Sequence, residues 1–323
     1  GPGPVLVLAG PGSGKTRVLT HRVAWLVAVA GVEPWRLMAV TFTNKAAREM
    51  RNRVGQLVGE EALGRVTMGT FHATCARMLR TEAAALGREP DFVIFDQSDQ
   101  LQAVKRCFGD VGVDPDRFDP RSFLAAIGKA KNELIRASEY SPASYFEELV
   151  ARVYARYQEL LRLSNALDFD DLLLEAADAL ARHDELRLRY RRRYRHVLVD
   201  EFQDTNTAQY AIVKSLTGTD SAAGERNVFV VGDEDQSIYG WRGADYRNIE
   251  RFRRDFPDAR LVLLEQNYRS TQNILDAARA VIDRNVRRTP KRLWTEAGDG
   301  VPSGYAASSH TCRIRLPSHS ASE

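Results

Sequence analysis

Residues 9–16 read Ala9-Gly10-Pro11-Gly12-Ser13-Gly14-Lys15-Thr16, after the apolar run Val5–Leu8 and ahead of the helical pattern Arg17–Val29. Strand, glycine-rich loop and helix in that order make a phosphate cradle. Glycines let successive backbone N–H groups turn inward, and the helix N-terminus adds the positive end of its dipole. In such a loop Gly10, Pro11, Gly12, Ser13 and Gly14 wrap the phosphates of ATP, Lys15 reaches the β- and γ-phosphates, and the Thr16 hydroxyl sits on Mg²⁺. Ala9 stands where the motif's first glycine is usual, a small residue for a small one. The chain holds seven lysines against 39 arginines, so a Gly-Lys-Thr in this context is informative. By composition a Gly-Lys followed by Ser or Thr is expected only roughly 0.05 times by chance.

A phosphate cradle of this kind needs a carboxylate from a neighbouring strand end. His196–Val199 followed by Asp200-Glu201 offers one. Asp200 is placed to hold Mg²⁺ through water, and Glu201, aimed differently, to polarise the attacking water. Alone, two acids after a strand are equally a solvated turn; the cradle makes the pair meaningful. The third element is Val228–Val231 followed by Gly232-Asp233-Glu234-Asp235-Gln236-Ser237. The Gln236 amide at such a strand end can hydrogen-bond to a γ-phosphate and sense its loss.

These groups need a scaffold that gathers strand ends. Short apolar runs recur at Val5–Leu8, Leu37–Thr41, Val197–Val199, Val228–Val231 and Leu261–Leu264, each followed by a turn and a helical pattern. Strands alternating with helices predict an α/β fold, a parallel sheet covered on both faces. Open sheets of this type bind ligands at the carboxyl edge of their strands. Between about 89 and 164 the rhythm gives way to helices at Gln97–Phe108, Ser122–Ile135 and Tyr145–Leu163, with Asp96, Ser98 and Asp119 as caps. We read a helical insertion. From Gly298 to Glu323 six of 26 residues are serine and no periodicity survives, which predicts a disordered or non-native tail.

With 323 residues and 44% hydrophobic content the chain can fill two or three units. A net charge of +3 does not by itself announce nucleic acid. Cys75, Cys107 and Cys312 have the spacing of neither a disulfide framework nor a zinc site, and no apolar stretch approaches membrane-span length. The expectation is a cytoplasmic protein with no membrane role.

Taken together, the motifs resemble the UvrD/Rep/PcrA-type superfamily 1 DNA helicases. The segments are AGPGSGKT (9–16), TFTNKAAREM (41–50), GTFHATCARML (69–79), DFDDLL (168–173), VDEFQDTNTAQY (199–210), VVGDEDQSIYGWRGA (230–244) and LEQNYRS (264–270), in the family's order. The resemblance implies a RecA-like P-loop NTPase lobe at 1–88 and 165–265, an inserted helical lobe at 89–164, and the start of a second RecA-like lobe at 266–297. It also implies ATP-driven 3′-to-5′ movement on single-stranded DNA, with 3′-tailed duplex as a substrate. Carried over by motif, Arg17 contacts nucleotide, Tyr268 stacks on adenine, Gln236 senses the γ-phosphate, and Arg269 reaches it from across the cleft. Candidate DNA contacts are Phe42, Asn44, Phe71, His72, Tyr239, Trp241 and Arg242, since aromatic faces accept any base. For Phe42 and Phe71 a plain core role competes, because each follows a strand-like run. The basic run Arg187–His196 reads equally as a solvated helix face.

Two departures shape the expectation. The adenine-reading glutamine segment that precedes the cradle strand in this family is missing, and so are the motifs that follow QNYRS. The chain therefore reads as an N-terminal fragment, predicted nearly inactive alone, because a finger arginine can be worth about 10³–10⁵ in rate. Two alternatives remain: a truncated module that holds nucleotide or single-stranded DNA without turnover, and the motor part of a helicase–nuclease subunit.

Overall fold

A computed structural model describes residues 3–218, 227–238, 240, 243–245, 247–285 and 289–300. Among these, eight strands form: β1 (Val5–Ala9), β2 (Leu37–Thr41), β3 (Thr67–Thr70), β4 (Val93–Phe95), β5 (Ala166–Asp168), β6 (His196–Val199), β7 (Asn227–Gly232) and β8 (Arg260–Leu264). Six make one sheet in the order β3-β2-β6-β7-β1-β8. Every pairing in it is parallel, so all six carboxyl ends share one edge. Strand side chains alternate between faces, and the apolar residues sort accordingly. Leu6, Leu8, Val197 and Val199 enter one core, whereas Val7 and Leu198 enter the core on the opposite face.

Helices cover both faces. The side of Val7 takes α1 (Lys15–Ala28), α2 (Asn44–Val58) and α3 (Glu60–Arg65). The side of Leu6 takes α4 (Phe71–Thr81), and later α8 (Phe169–Arg182), α9 (Asp184–Arg193), α10 (Thr207–Thr217) and α11 (Asn248–Asp255). Between them in the chain lie α5 (Gln97–Val111), α6 (Pro120–Asn132) and α7 (Tyr145–Leu163), which bury a core of their own around Phe108, Phe123, Val150 and Tyr157. α12 (Gln272–Ile282) follows β8. The architecture is a parallel α/β sheet with a helical insertion, as expected.

Several boundaries differ from expectation for identifiable reasons. The sixth sheet strand, β3, is the Thr-Met-Gly-Thr stretch, which has no apolar run to announce it. β4 and β5 pair in parallel as a separate two-stranded sheet flanking the insertion. Asp96 caps α5, accepting from the Ser98 and Asp99 amides, so Ser98 is a first-turn residue and not the cap. α6 starts at Pro120 behind the Asp119 cap and stops at Asn132, because Leu134 takes φ +64°, which no helix tolerates. The basic run lies largely on α9, where Arg189 pairs with Glu82 and Arg191 donates to the Ser215 carbonyl. Residues 298–300 stand at the start of α12, whose Gln272 and Asn273 amides donate to the Gly298 and Asp299 carbonyls. The remainder of the expected tail lies outside the described residues.

Candidate functional site

Consecutive position in the sheet brings three strand ends together: β6, β7 and β1 are neighbours, and each leads into a polar or glycine-rich turn at the same edge. After β1 the chain turns through Gly12 at φ +69° and Gly14 at φ +88°, the left-handed region that glycine enters at little cost. α1 then begins at Lys15 with no capping side chain and no acidic residue in its first turn. Its first amides are therefore left for a ligand, beside an uncancelled helix dipole. The Ser13 hydroxyl bonds back to the Gly10 carbonyl at 2.7 Å and tightens the loop.

Lys15 and Thr16 then meet the acidic pair, 184 residues away in sequence. Thr16 Oγ1 donates to Asp200 Oδ2 at 3.2 Å, and Lys15 Nζ lies 3.8 Å from Glu201 Oε2. Asp200 is 2% exposed, and burial together with the Glu201 charge pushes its carboxyl up to about 6. That is a carboxylate short of positive charge. Its oxygen, with the Thr16 hydroxyl, forms the hard donor set that suits Mg²⁺, an ion that otherwise keeps waters and phosphate oxygens. Glu201 takes φ +49°, an unusual conformation for a residue with a Cβ. Gln203 Nε2 holds the Glu201 carboxylate at 2.9 Å.

Asp204, three residues beyond Glu201, carries no role in the sequence analysis, yet it belongs here. Its Oδ1 is buried without a hydrogen-bond partner, and burial and the Glu201 charge push its carboxyl up to about 7. Gln236 sits after β7, its Nε2 donating to Asp233 Oδ2 at 2.5 Å.

The segment after β8 crosses the cradle. Asn267 Nδ2 donates to the Pro11 carbonyl at 2.6 Å and the Tyr268 amide to the Gly12 carbonyl at 3.0 Å. A Cβ on Gly12 would stand 2.7 Å from Asn267 Nδ2, and one on Gly10 would stand 2.2 Å from Leu293 Cδ2. Arg269 and Tyr268 are both exposed beside the loop; the Tyr268 hydroxyl meets Gln266 at 2.8 Å. The Arg269 side chain makes no hydrogen bond or ion pair among the described residues. Arg17 is exposed on the first turn of α1.

The nucleic-acid candidates divide. Phe42 and Asn44 follow β2, and Phe71 and His72 follow β3, on the half of the carboxyl edge away from the cradle. Phe42 is half-buried and Asn44 exposed. Phe71 is 2% exposed within the core, so its ring has no face to offer a base and the core role holds. His72 packs edge-on against Phe169 at 5.9 Å, and burial lowers its pKa. Phe169 itself, 47% exposed in DFDDLL, is a neighbour that the sequence analysis passed over. Tyr239, Trp241 and Arg242 lie outside the described residues.

The UvrD/REP helicase N-terminal domain profile matches residues 1–257. The chain belongs to the UvrD/Rep helicase family. It is 49% identical over 305 residues to the ATP-dependent DNA helicase PcrA of Leuconostoc citreum and 48% identical over 305 residues to PcrA of Bacillus subtilis. It is 51% identical over 313 residues to the ATP-dependent DNA helicase UvrD1 of Mycobacterium tuberculosis. Each match takes in 94% of this chain and 40% of the relative. The chain thus spans well under half the length of the UvrD/Rep helicases it matches. Among the described residues no helix is long and apolar enough to cross a membrane.

Proposed function

We propose that this chain is the nucleotide-binding portion of an ATP-dependent 3′–5′ DNA helicase or translocase that moves on single-stranded DNA and acts on 3′-tailed duplex. The observation that carries the proposal is the meeting of Lys15 and Thr16 with Glu201 and Asp200 at one sheet edge, 3.8 and 3.2 Å apart. ATP would lie with its phosphates in the Gly10–Gly14 loop, over the free amides of α1. Thr16 and Asp200 would hold Mg²⁺, which when bound neutralises charge on the β- and γ-phosphates. Glu201, fixed by Gln203, is oriented to accept a proton from the attacking water, and Lys15 stabilises the phosphoryl oxygens. Gln236 faces the γ-phosphate position, while Tyr268 and Arg269 approach from beyond the loop. Single-stranded DNA would pass over the β2–β3 half of the edge, near Phe42, Asn44 and His72, and towards Tyr239, Trp241 and Arg242. The relatives are named as ATP-dependent DNA helicases, which supports the assignment.

Purified chain is expected to bind Mg·ATP and to turn it over slowly, with little stimulation by single-stranded DNA. Titration calorimetry and a steady-state phosphate-release assay read both. Failure to bind Mg·ATP overturns the proposal, and brisk DNA-stimulated turnover overturns the expectation that this chain alone turns ATP over slowly.

A further inference from the structure

Lys291 is one of seven lysines in the chain and stands in a segment to which the motifs assign nothing. Its side chain is 2% exposed, with Nζ 2.5 Å from Asp233 Oδ1 and 3.3 Å from Asp235 Oδ2. Asp233 has no exposed side-chain surface. Its other oxygen, Oδ2, accepts from Gln236 Nε2. One carboxylate therefore joins a cation from the far segment to the amide proposed to meet the γ-phosphate. The chain of contacts continues inward: the Asp233 amide donates to Gln203 Oε1 at 2.9 Å, and Gln203 Nε2 holds Glu201. Residue 289 fixes the same crossing, its amide and hydroxyl both donating to the Glu234 carboxylate.

We infer that Lys291 is a positioning residue for γ-phosphate recognition: by fixing the Asp233 carboxylate it sets the Gln236 amide. A buried lysine between two carboxylates contributes little net stability, because desolvation offsets most of the attraction. What it contributes is direction. With Oδ1 bound to the ammonium, Asp233 can present only Oδ2 to Gln236, and an amide on a long, rotamer-rich side chain gains a fixed orientation. A side-chain amide has two N–H donors, so one can rest on Asp233 while the second faces the cleft. Without Lys291 only the Asp235 amide, at 3.2 Å, still holds Oδ1, so the carboxylate is less firmly fixed and the Gln236 amide with it. The γ-phosphate would then lose an aligned donor while the α- and β-phosphates, held by the loop amides, would not.

This inference rests on the nucleotide assignment above, and the test separates the two. The full 323-residue chain is titrated with Mg·ATPγS and with Mg·ADP, as wild type and as Lys291→Met, Lys291→Arg and Asp235→Asn. Lys291→Met is expected to weaken ATPγS about tenfold and ADP by less than about twofold. Lys291→Arg keeps a buried cation and should restore most of the difference. Asp235→Asn loosens Lys291 without stranding it, so it should give a smaller loss with the same preference, and it decides the matter should Lys291→Met not fold. Equal loss for both nucleotides, or no loss for either, makes Lys291 merely a tether and overturns the inference. A wild type that binds neither nucleotide overturns the nucleotide assignment itself.

Discussion

Lys131 offers a test with a large and calculable effect. Its side chain is fully buried, with Nζ 2.6 Å from Asp168 Oδ2 and 2.8 Å from Asp171 Oδ1, and both carboxylates are buried too. The Tyr157 hydroxyl donates to Asp168 at 3.0 Å, so α6, α7 and α8 meet at this one charge cluster. Burial alone would raise the Asp168 pKa, but the Lys131 ammonium more than offsets it and holds the group below its usual value. Asp171 is raised, by burial and by the Asp168 charge. Lys131→Met leaves two buried carboxylates without their cation, and breaking a buried pair in this way costs about 3–5 kcal/mol. At about 2 °C per kcal/mol for a chain of this size, the melting temperature should fall by about 6–10 °C.

The pH dependence of that loss follows from its sign. In the variant both carboxyls have folded-state pKa values above those of the unfolded chain, so the folded state binds the extra protons. The destabilisation is then fully expressed at pH 8 and fades as the pH falls towards 5. In wild type the lowered pKa of Asp168 keeps its pairing with Lys131 constant over this range and only the raised Asp171 takes up a proton, so acidification helps the variant, with two raised carboxyls, more. Urea denaturation of both proteins at pH 8 and pH 5.5 reads the gap, which should narrow on acidification. Lys131→Met/Asp168→Asn removes one stranded charge and should recover a large part of it. A loss below about 1 kcal/mol at pH 8, or one equal at both pH values, refutes the reasoning.

Four further outcomes are expected. Gly12→Ala forces a Cβ to 2.7 Å from Asn267 Nδ2 at φ +69°; left-handed strain of about 1 kcal/mol and a lost hydrogen bond of similar size should weaken Mg·ATP by at least about tenfold, by calorimetry. Asp200→Asn should retain ADP binding without metal but lose the added thermal stabilisation that Mg²⁺ gives wild type with nucleotide, in a melting assay. Phe71→Ala should cost about 3–5 kcal/mol of stability in urea melts, as a core ring does. Phe42→Ala should instead weaken single-stranded DNA, in a fluorescence anisotropy titration, by about 1–3 kcal/mol.

Much of this arrangement was legible because chemistry and secondary structure coincide at the strand ends. Val5–Leu8, Val197–Val199 and Val228–Val231 are largely buried, so each reads as an unbroken apolar run, and the functional residues lie in the glycine-rich or polar turn past its end. β3 escaped because Met68 is the one large apolar residue in Thr67-Met68-Gly69-Thr70, too little to make an apolar run. The positioning residues escaped for a different reason. Lys131, Asn267 and Lys291 act through partners 37, 256 and 58 positions away. No local pattern marks such a pairing. Lysine scarcity was the available signal: Lys15, Lys131 and Lys291, three of the seven, are buried. Asp204 was overlooked because burial, which no local pattern shows, is the largest cause of its raised pKa.

β4 carries the chain towards the helical insertion and β5 carries it back, and the two lie side by side, Val93 opposite Ala166 and Phe95 opposite Asp168. A body attached through two adjacent, hydrogen-bonded strands resembles a door on a pair of hinges set close together. Sliding it would tear the ladder, and tilting it across the strands would bend both at once. Twisting about the strand direction disturbs the ladder least. Any reorientation of the three insertion helices is thereby confined to swinging about one axis, with the Lys131 cluster as the catch that sets its rest angle.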